Sequence, residues 1–82
     1  MPRYYFHLRD RADQLRDEEG MALPDAEAAW YQAVRSARER VKADVHLGCA
    51  FEHKLVEIVD EEGLRVDTLP LQAIADYSLF AS

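Results

Sequence analysis

Residues 24–48 read PDAEAAWYQAVRSARERVKADVHLG, and this stretch decides the fold. Asp25 is a good helix N-cap, because its carboxylate accepts from N–H groups that the first turn leaves without partners. Apolar residues then recur with the helical period of 3.6. They are Trp30, Ala33, Val34, Ala37 and Val41. We predict a long helix over residues 25–45, and Gly48 is the expected stop.

Two stretches with a period of two lie on either side of this helix. Residues 3–9, RYYFHLR, put aromatic and aliphatic side chains on one face, and Tyr5, His7 and Arg9 on the other. Residues 53–60, HKLVEIVD, have apolar side chains on both faces, which is typical of a covered or central strand. Pro70 ends the strand that follows, since proline has no N–H for a ladder.

The sequence therefore predicts a single small α+β domain. We expect an antiparallel sheet of about four short strands, with one long helix packed across one face. The expected order is a hairpin over 3–23, the helix over 25–45, a hairpin over 53–69, and a C-terminal helix or tail over 71–82. The predicted core residues are Tyr4, Phe6, Leu8, Trp30, Val34, Ala37, Val41, Val56, Ile58 and Val66.

Length and charge exclude several classes of protein. The 82 residues suffice for one core, and the net charge is -6. Residues 1–42 are neutral in sum, so the acidic excess lies in residues 43–82, which would repel a phosphate backbone. The longest stretch without a charge, 68–75, is far too short to span a membrane. We expect a soluble cytoplasmic protein that does not generally bind nucleic acid.

The histidines and the cysteine do not have the spacing of a known catalytic or metal-binding motif. If the strands that hold His7 and His53 are neighbours, the two histidines could converge with an acid such as Asp67, but no His-x-His or i, i+4 pair is present. Cys49 lies between His46 and His53, but a lone cysteine in the apolar run 47–51 is expected to be packed. We predict no catalytic residue, no metal, no cofactor and no small-molecule substrate.

Two acidic turns repeat the same four residues. Asp-Glu-Glu-Gly occurs at 17–20 and at 60–63, and each copy is followed by a Leu-Pro pair. Neither copy has the twelve-residue ligand spacing of a calcium loop, so both are predicted to be solvated turns. The echo indicates either a duplicated unit or a chance recurrence in an acidic chain.

One side of the predicted helix is basic. Tyr31, Arg35, Arg38 and Lys42 share this side, where they could contact phosphates with Tyr31 stacking on a base. The alternative is structural, because basic residues suit a helix C-terminus and Arg35 is spaced to pair with Glu39.

The outward side of the two predicted strands is a candidate interaction face. Its residues are Tyr5, His7, Arg9, Leu55 and Val59. Such a face could bind a partner, form a dimer interface or stay in solvent. Because a domain this small buries a limited apolar area, self-association is a natural way to bury more.

The run Met1-Pro2-Arg3-Tyr4-Tyr5-Phe6-His7-Leu8, with the acidic turn at 17–20 and Leu23-Pro24-Asp25 after it, resembles a family of short bacterial proteins classed as a domain of unknown function. The resemblance implies a cytosolic bacterial protein and no particular activity. The first half is also similar, more weakly, to HicB-type antitoxin domains.

From these observations we expect a non-enzymatic protein-interaction or regulatory module, a homodimer or the binder of another protein. The alternative is a nucleic-acid-linked regulator of antitoxin type that uses the basic helix side.

Overall fold

The computed structural model describes residues 1–11 and 13–81, with side chains described through residue 76. The strands are β1 (Arg3–Asp10), β2 (Asp13–Leu15), β3 (Met21–Ala22), β4 (Lys54–Asp60) and β5 (Arg65–Pro70). The helices are α1 (Ala26–Leu47) and α2 (Leu71–Ala81). The predicted α+β fold with a long helix on an antiparallel sheet is confirmed, although five strands form instead of about four. The last residue of the predicted tail, Ser82, lies outside the described residues.

The strands follow the order β2-β1-β4-β5, and β3 also pairs with β1. β1 runs antiparallel to β4, with Tyr4 opposite Asp60 and Asp10 opposite Lys54. On its other edge, β1 pairs with β2 near its C-terminal end and with β3 near its N-terminal end. The middle of this edge, residues 5–7, therefore faces no strand among the residues that the structure describes.

Asp25 and Gly48 cap the two ends of α1, as the sequence predicts. The Asp25 carboxylate accepts from the Ala28 N–H at 2.9 Å. Gly48 has a φ of 72°, in the left-handed region that favours glycine, and the N–H groups of Gly48 and Cys49 donate to carbonyls of the last turn. The helix is two residues longer at its C-terminus than predicted.

The buried side of α1 is a stripe of small residues, rotated from the predicted one. It consists of Ala29, Ala33, Ala37, Val41 and Asp44. Alanine lets the helix approach β4 and β5 closely, and α2 packs beside it. Trp30 is 36% exposed, so its predicted place in the core is wrong. Its ring is displaced to the flank because the alanines occupy the closest approach.

The core joins this stripe to the inner face of the sheet. Its residues are Tyr4, Ala29, Ala33, Ala37, Val41, Val56, Ile58, Leu69, Leu71, Ile74 and Ala75. Five predicted core residues are confirmed, and Phe6, Leu8 and Val34 are partly buried at the margin of the cluster.

Val66 is 38% exposed, so its predicted burial is wrong. Ile58 pairs with Asp67 while Val59 pairs with Arg65, which leaves Val66 as the extra residue of a β-bulge. The bulge interrupts the in–out alternation on which the prediction rested.

A buried ion pair ties the end of α1 to the start of β4. Asp44 is 2% exposed, and its carboxylate accepts from Lys54 Nζ at 3.0 Å. A carboxylate removed from water is stable only with a partner, so this contact fixes the chain where it passes from helix to sheet.

We predict that Asp44→Ala lowers the free energy of unfolding by about 3 kcal/mol, because it leaves the Lys54 ammonium in a half-buried site without its counter-charge. Urea denaturation measures the change. The control is Glu39→Ala, an exposed position on the same helix, with an expected effect under about 0.5 kcal/mol. Equal effects of the two substitutions would contradict a structural role for the ion pair.

Candidate functional site

The sheet presents one face to the helices, and we call the opposite one the outer face. The register places Tyr5 opposite Val59, His7 opposite Glu57 and Arg9 opposite Leu55. All five residues of the predicted interaction face therefore lie together on the outer face. Both described helices contribute to the core on the inner face, so neither covers this surface.

The outer face combines half-buried apolar groups with a small charge network. Tyr5, Leu55 and Val59 are half-buried. Arg9 Nη1 lies 3.3 Å from Glu57 Oε2, and Arg65 Nη1 lies 3.9 Å from the same oxygen. This carboxylate is largely shielded while both arginines are exposed, so charge near the middle of the face is partly compensated.

His7 lies on the outer face but is only 6% exposed, in contact with the segment after β2. The Asp17 N–H donates to His7 Nδ1 at 3.0 Å, so the neutral imidazole carries its proton on Nε2. The Tyr5 and His7 rings lie stacked, with centroids 6.4 Å apart. The segment after β2 therefore covers His7 on the outer face, and Tyr5 is the more accessible of the two rings.

Asp17 fills the gap that β2 and β3 leave along β1. Its Oδ2 accepts from the Phe6 N–H at 3.1 Å, in the stretch of β1 that has no strand beside it. Its Oδ1 accepts from Glu19 N at 3.3 Å and from Gly20 N at 3.1 Å. The carboxylate thus satisfies an edge donor of the sheet and folds the turn at the same time.

Gly20 lets this turn lie against β1. Its φ is +69°, and a Cβ there would meet the Tyr4 carbonyl oxygen and the Tyr5 ring at 2.8 Å each. Arg3 Nη1 donates to the Glu19 carbonyl at 2.7 Å and closes the turn from the other side.

The second acidic turn also folds around its aspartate, but it closes the hairpin between β4 and β5 with a different set of hydrogen bonds. Asp60 Oδ1 accepts from Glu62 N and Leu64 N, both at 2.9 Å. Residues 61–63 are exposed, as predicted for a solvated turn. No group of three His, Cys, Asp or Glu side chains in the described part of the chain could hold a metal ion.

The histidines and the cysteine lie apart. The strands β1 and β4 are neighbours, but the register sets His7 beside Glu57, and the exposed His53 precedes β4, so the convergence of the two histidines does not occur. Cys49 is exposed, and its predicted packing is wrong. The left-handed cap at Gly48 leaves the apolar run on the surface until Phe51, which packs against the core.

The four residues of the basic helix side are all exposed along α1, and Tyr31 is 62% exposed. In the described part of the chain, Arg35, Arg38 and Lys42 form no ion pair, and the expected Arg35–Glu39 pair is not made. Beside them, α1 and α2 enclose a groove of about 630 Å³, lined by Trp30, Tyr31, Val34, Arg35, Arg38, Leu69, Ala73 and Ile74.

β5 forms one outer edge of the sheet, and two features blunt it. The Thr68 N–H donates to the Asp67 carboxylate at 2.8 Å, and Pro70, two residues on, has no N–H. Nitrogens at alternate positions of a strand point the same way, so two donors of this edge are withdrawn from an incoming strand.

A family model described as "Domain of unknown function (DUF6894)" matches residues 3–72. No curated protein and no solved structure matches the chain, and nothing in these comparisons supports the likeness to HicB-type domains. No helix among the described residues is both long and apolar enough to cross a membrane.

We predict that Asp17→Ala destabilises the protein by about 2–3 kcal/mol, because it leaves the part-buried Phe6 N–H without an acceptor and releases the turn over His7. Asp60→Ala is the matched control. It removes an aspartate from the same four-residue motif, where the donors are exposed to water, and should cost about 1 kcal/mol or less. Thermal and urea unfolding measure both, and an equal loss would show that Asp17 serves its turn alone.

Proposed function

The chain belongs to the DUF6894 family, and we propose that it is a non-enzymatic protein-interaction module that self-associates through the outer face of its sheet. The observation that carries this proposal is the placement of Tyr5, Leu55 and Val59 together on a sheet face that neither described helix covers. The bacterial and cytoplasmic setting is part of the proposal and rests on the resemblance carried by residues 1–8.

The separation of the reactive side chains supports a binding role. His7 is held by a backbone N–H, and Cys49, His46 and His53 are exposed in the helix end and the loop before β4. Catalysis needs a nucleophile or base within hydrogen-bonding reach of a group that orients it. The described hydrogen bonds bring none of these side chains to another.

The sheet face suits a partner better than the sheet edge does. An added strand needs free N–H and C=O groups, and β5 withdraws donors at Thr68 and Pro70. The outer face instead offers apolar groups around the Arg9–Glu57–Arg65 network, whose mixed charge suits a like surface arranged antiparallel to it.

The area of the outer face limits the affinity that we expect for the dimer. The long strands β1, β4 and β5 have about seven residues each, which gives a flat footprint of about 330 Å² at ~3.3 Å per residue and ~4.8 Å per strand. Stable complexes bury about 800 Å² on each partner. We therefore expect a reversible dimer with a dissociation constant in the micromolar range.

We predict that Val59→Glu raises the dimer dissociation constant at least tenfold, because the dimer would bury an additional charge among the apolar groups of the face. Sedimentation velocity over a concentration series measures it. Val45→Glu is the matched control, because Val45 is 64% exposed on α1, and it should leave the constant unchanged. A wild-type chain that stays monomeric at all concentrations would refute self-association.

A second candidate function rests on the basic helix side. Three cations without ion pairs in the described part of the chain flank the exposed Tyr31, which is the arrangement that a single-stranded nucleic acid uses for phosphate contact and base stacking. The chain would then be a regulator of antitoxin type. The net charge of -6 confines any such contact to this side.

If this candidate holds, a mixed-sequence single-stranded RNA binds with a log–log salt slope of about -2, as three phosphate contacts require. Arg38→Gln should reduce the slope by about 0.7, and Arg40→Gln, on another side of α1, should not change it. Fluorescence anisotropy from low to physiological salt measures the slope. A lack of binding at low salt removes this candidate.

A further inference from the structure

The groove between α1 and α2 changes character along α1. Trp30 and Tyr31 line it first, and Val34 follows one turn later. Arg35 and Arg38 line it last. The groove therefore has an aromatic and aliphatic end and a cationic end.

The other walls of this groove are apolar. Leu69 of β5 is 4% exposed and Ile74 of α2 is 7% exposed, so both belong to the core at its base. Ala73 of α2 is exposed and also lines the groove. Because its side chain is a single methyl group, α2 leaves space at this position. A ligand in the groove would lie against buried apolar side chains.

The charge of the groove has one sign. Within the described part of the chain, its two charged lining residues are arginines, and neither of them forms an ion pair. Asp76 is the one acidic residue in the sequence of α2, and its carboxylate accepts from the Gln72 side chain at 2.8 Å. The groove is therefore a local cationic site on a chain whose net charge is -6.

We propose that this groove binds a small organic anion, a carboxylate with an aliphatic body. The body would lie against Trp30 and Val34, and the carboxylate would accept from Arg35 and Arg38, whose forked guanidinium groups match its two oxygens.

The dimensions of the groove agree with a ligand of this size. Its volume of about 630 Å³ falls within the range of about 300–1,000 Å³ that is usual for small-molecule sites. The lining extends along α1 for about eight residues, or about 12 Å at the helical rise, which is about the length of an extended chain of eight to ten carbons.

A small anion suits this groove better than a nucleic acid does. A polynucleotide would extend past the two arginines over a chain of net charge -6, whereas a single carboxylate ends at them. Lys42, which the nucleic-acid candidate uses, does not line the groove. The site is also separate from the proposed dimer contact, because both helices lie on the inner face of the sheet.

The test compares octanoate, octanol and octylammonium, which share one aliphatic chain and differ in the charge of the head group. Trp30 is the only tryptophan in the chain, so its fluorescence emission reports binding in the groove itself. We expect octanoate to bind at least tenfold more tightly than octanol, and octylammonium to bind more weakly than octanol. Non-specific attraction to an acidic chain would give the opposite order.

Two pairs of variants locate the site. Arg35→Gln combined with Arg38→Gln should remove the preference for octanoate over octanol. The control, Arg40→Gln combined with Lys42→Gln, removes the same charge from α1 outside this groove and should preserve the preference. Ala73→Phe should fill the groove and weaken octanoate and octanol alike by about tenfold or more, whereas Ala73→Ser should change neither.

Circular dichroism checks that every variant keeps its fold, and Val59→Glu should leave octanoate binding intact even if it dissolves the dimer. Equal affinities of octanoate and octanol would overturn the proposal, as would emission from Trp30 that none of the three compounds changes. Loss of the preference in the Arg40 and Lys42 control would also overturn it, because the net charge of the chain would then select the anion.

Discussion

The hydrogen bonds of the Asp17 carboxylate hold together the part of the sheet formed by β1, β2 and β3. β2 and β3 are three and two residues long, and neither runs along the middle of β1. By accepting from Phe6 on one side and from Glu19 and Gly20 on the other, Asp17 joins the turn to the strand as a third strand would. The Asp17 N–H also orients His7 on the outer face. The Asp17 side chain lines the groove that the inner face forms with α1.

The alanine stripe of α1 decides which surfaces remain open. Because Ala29, Ala33 and Ala37 allow a close approach to β4 and β5, the helix lies toward one side of the sheet, with α2 beside it. Trp30 and Tyr31 are then left on the flank, and Phe6 and Leu8 at the margin. Larger residues in the stripe would lift the helix and change both surfaces at once.

Local patterns predicted the elements well, because each depends on nearby residues. Asp25 and Gly48 bound α1 as their types require, and period two assigned each side chain of β1 and β4 to a face. The predictions fail where the burial of a side chain depends on residues that are distant in the sequence. The bulge opposite Ile58 and Val59 exposes Val66, and Trp30 is exposed because the alanine stripe of α1 makes the closest approach to the sheet. The Asp44–Lys54 pair and the role of Asp17 join residues ten or more positions apart, which no periodicity reports.

For the candidate site, the sequence placed five residues on one face, and the register brings them together. It did not indicate that His7 would be covered, because Asp17 resembles its counterpart Asp60 in every neighbouring residue of the motif. In the fold, the first copy lies against the edge of β1, whereas the second closes the hairpin between β4 and β5.

Backbone donors are occupied or missing at both edges of the sheet, which affects how the protein behaves at high concentration. An exposed row of backbone donors is the template on which chains add to one another and grow into fibres. Here a carboxylate occupies the donor of Phe6 at one edge, and a carboxylate and a proline block the other. Few backbone donors on these two edges are therefore free to pair with an incoming strand, which disfavours open-ended addition of chains.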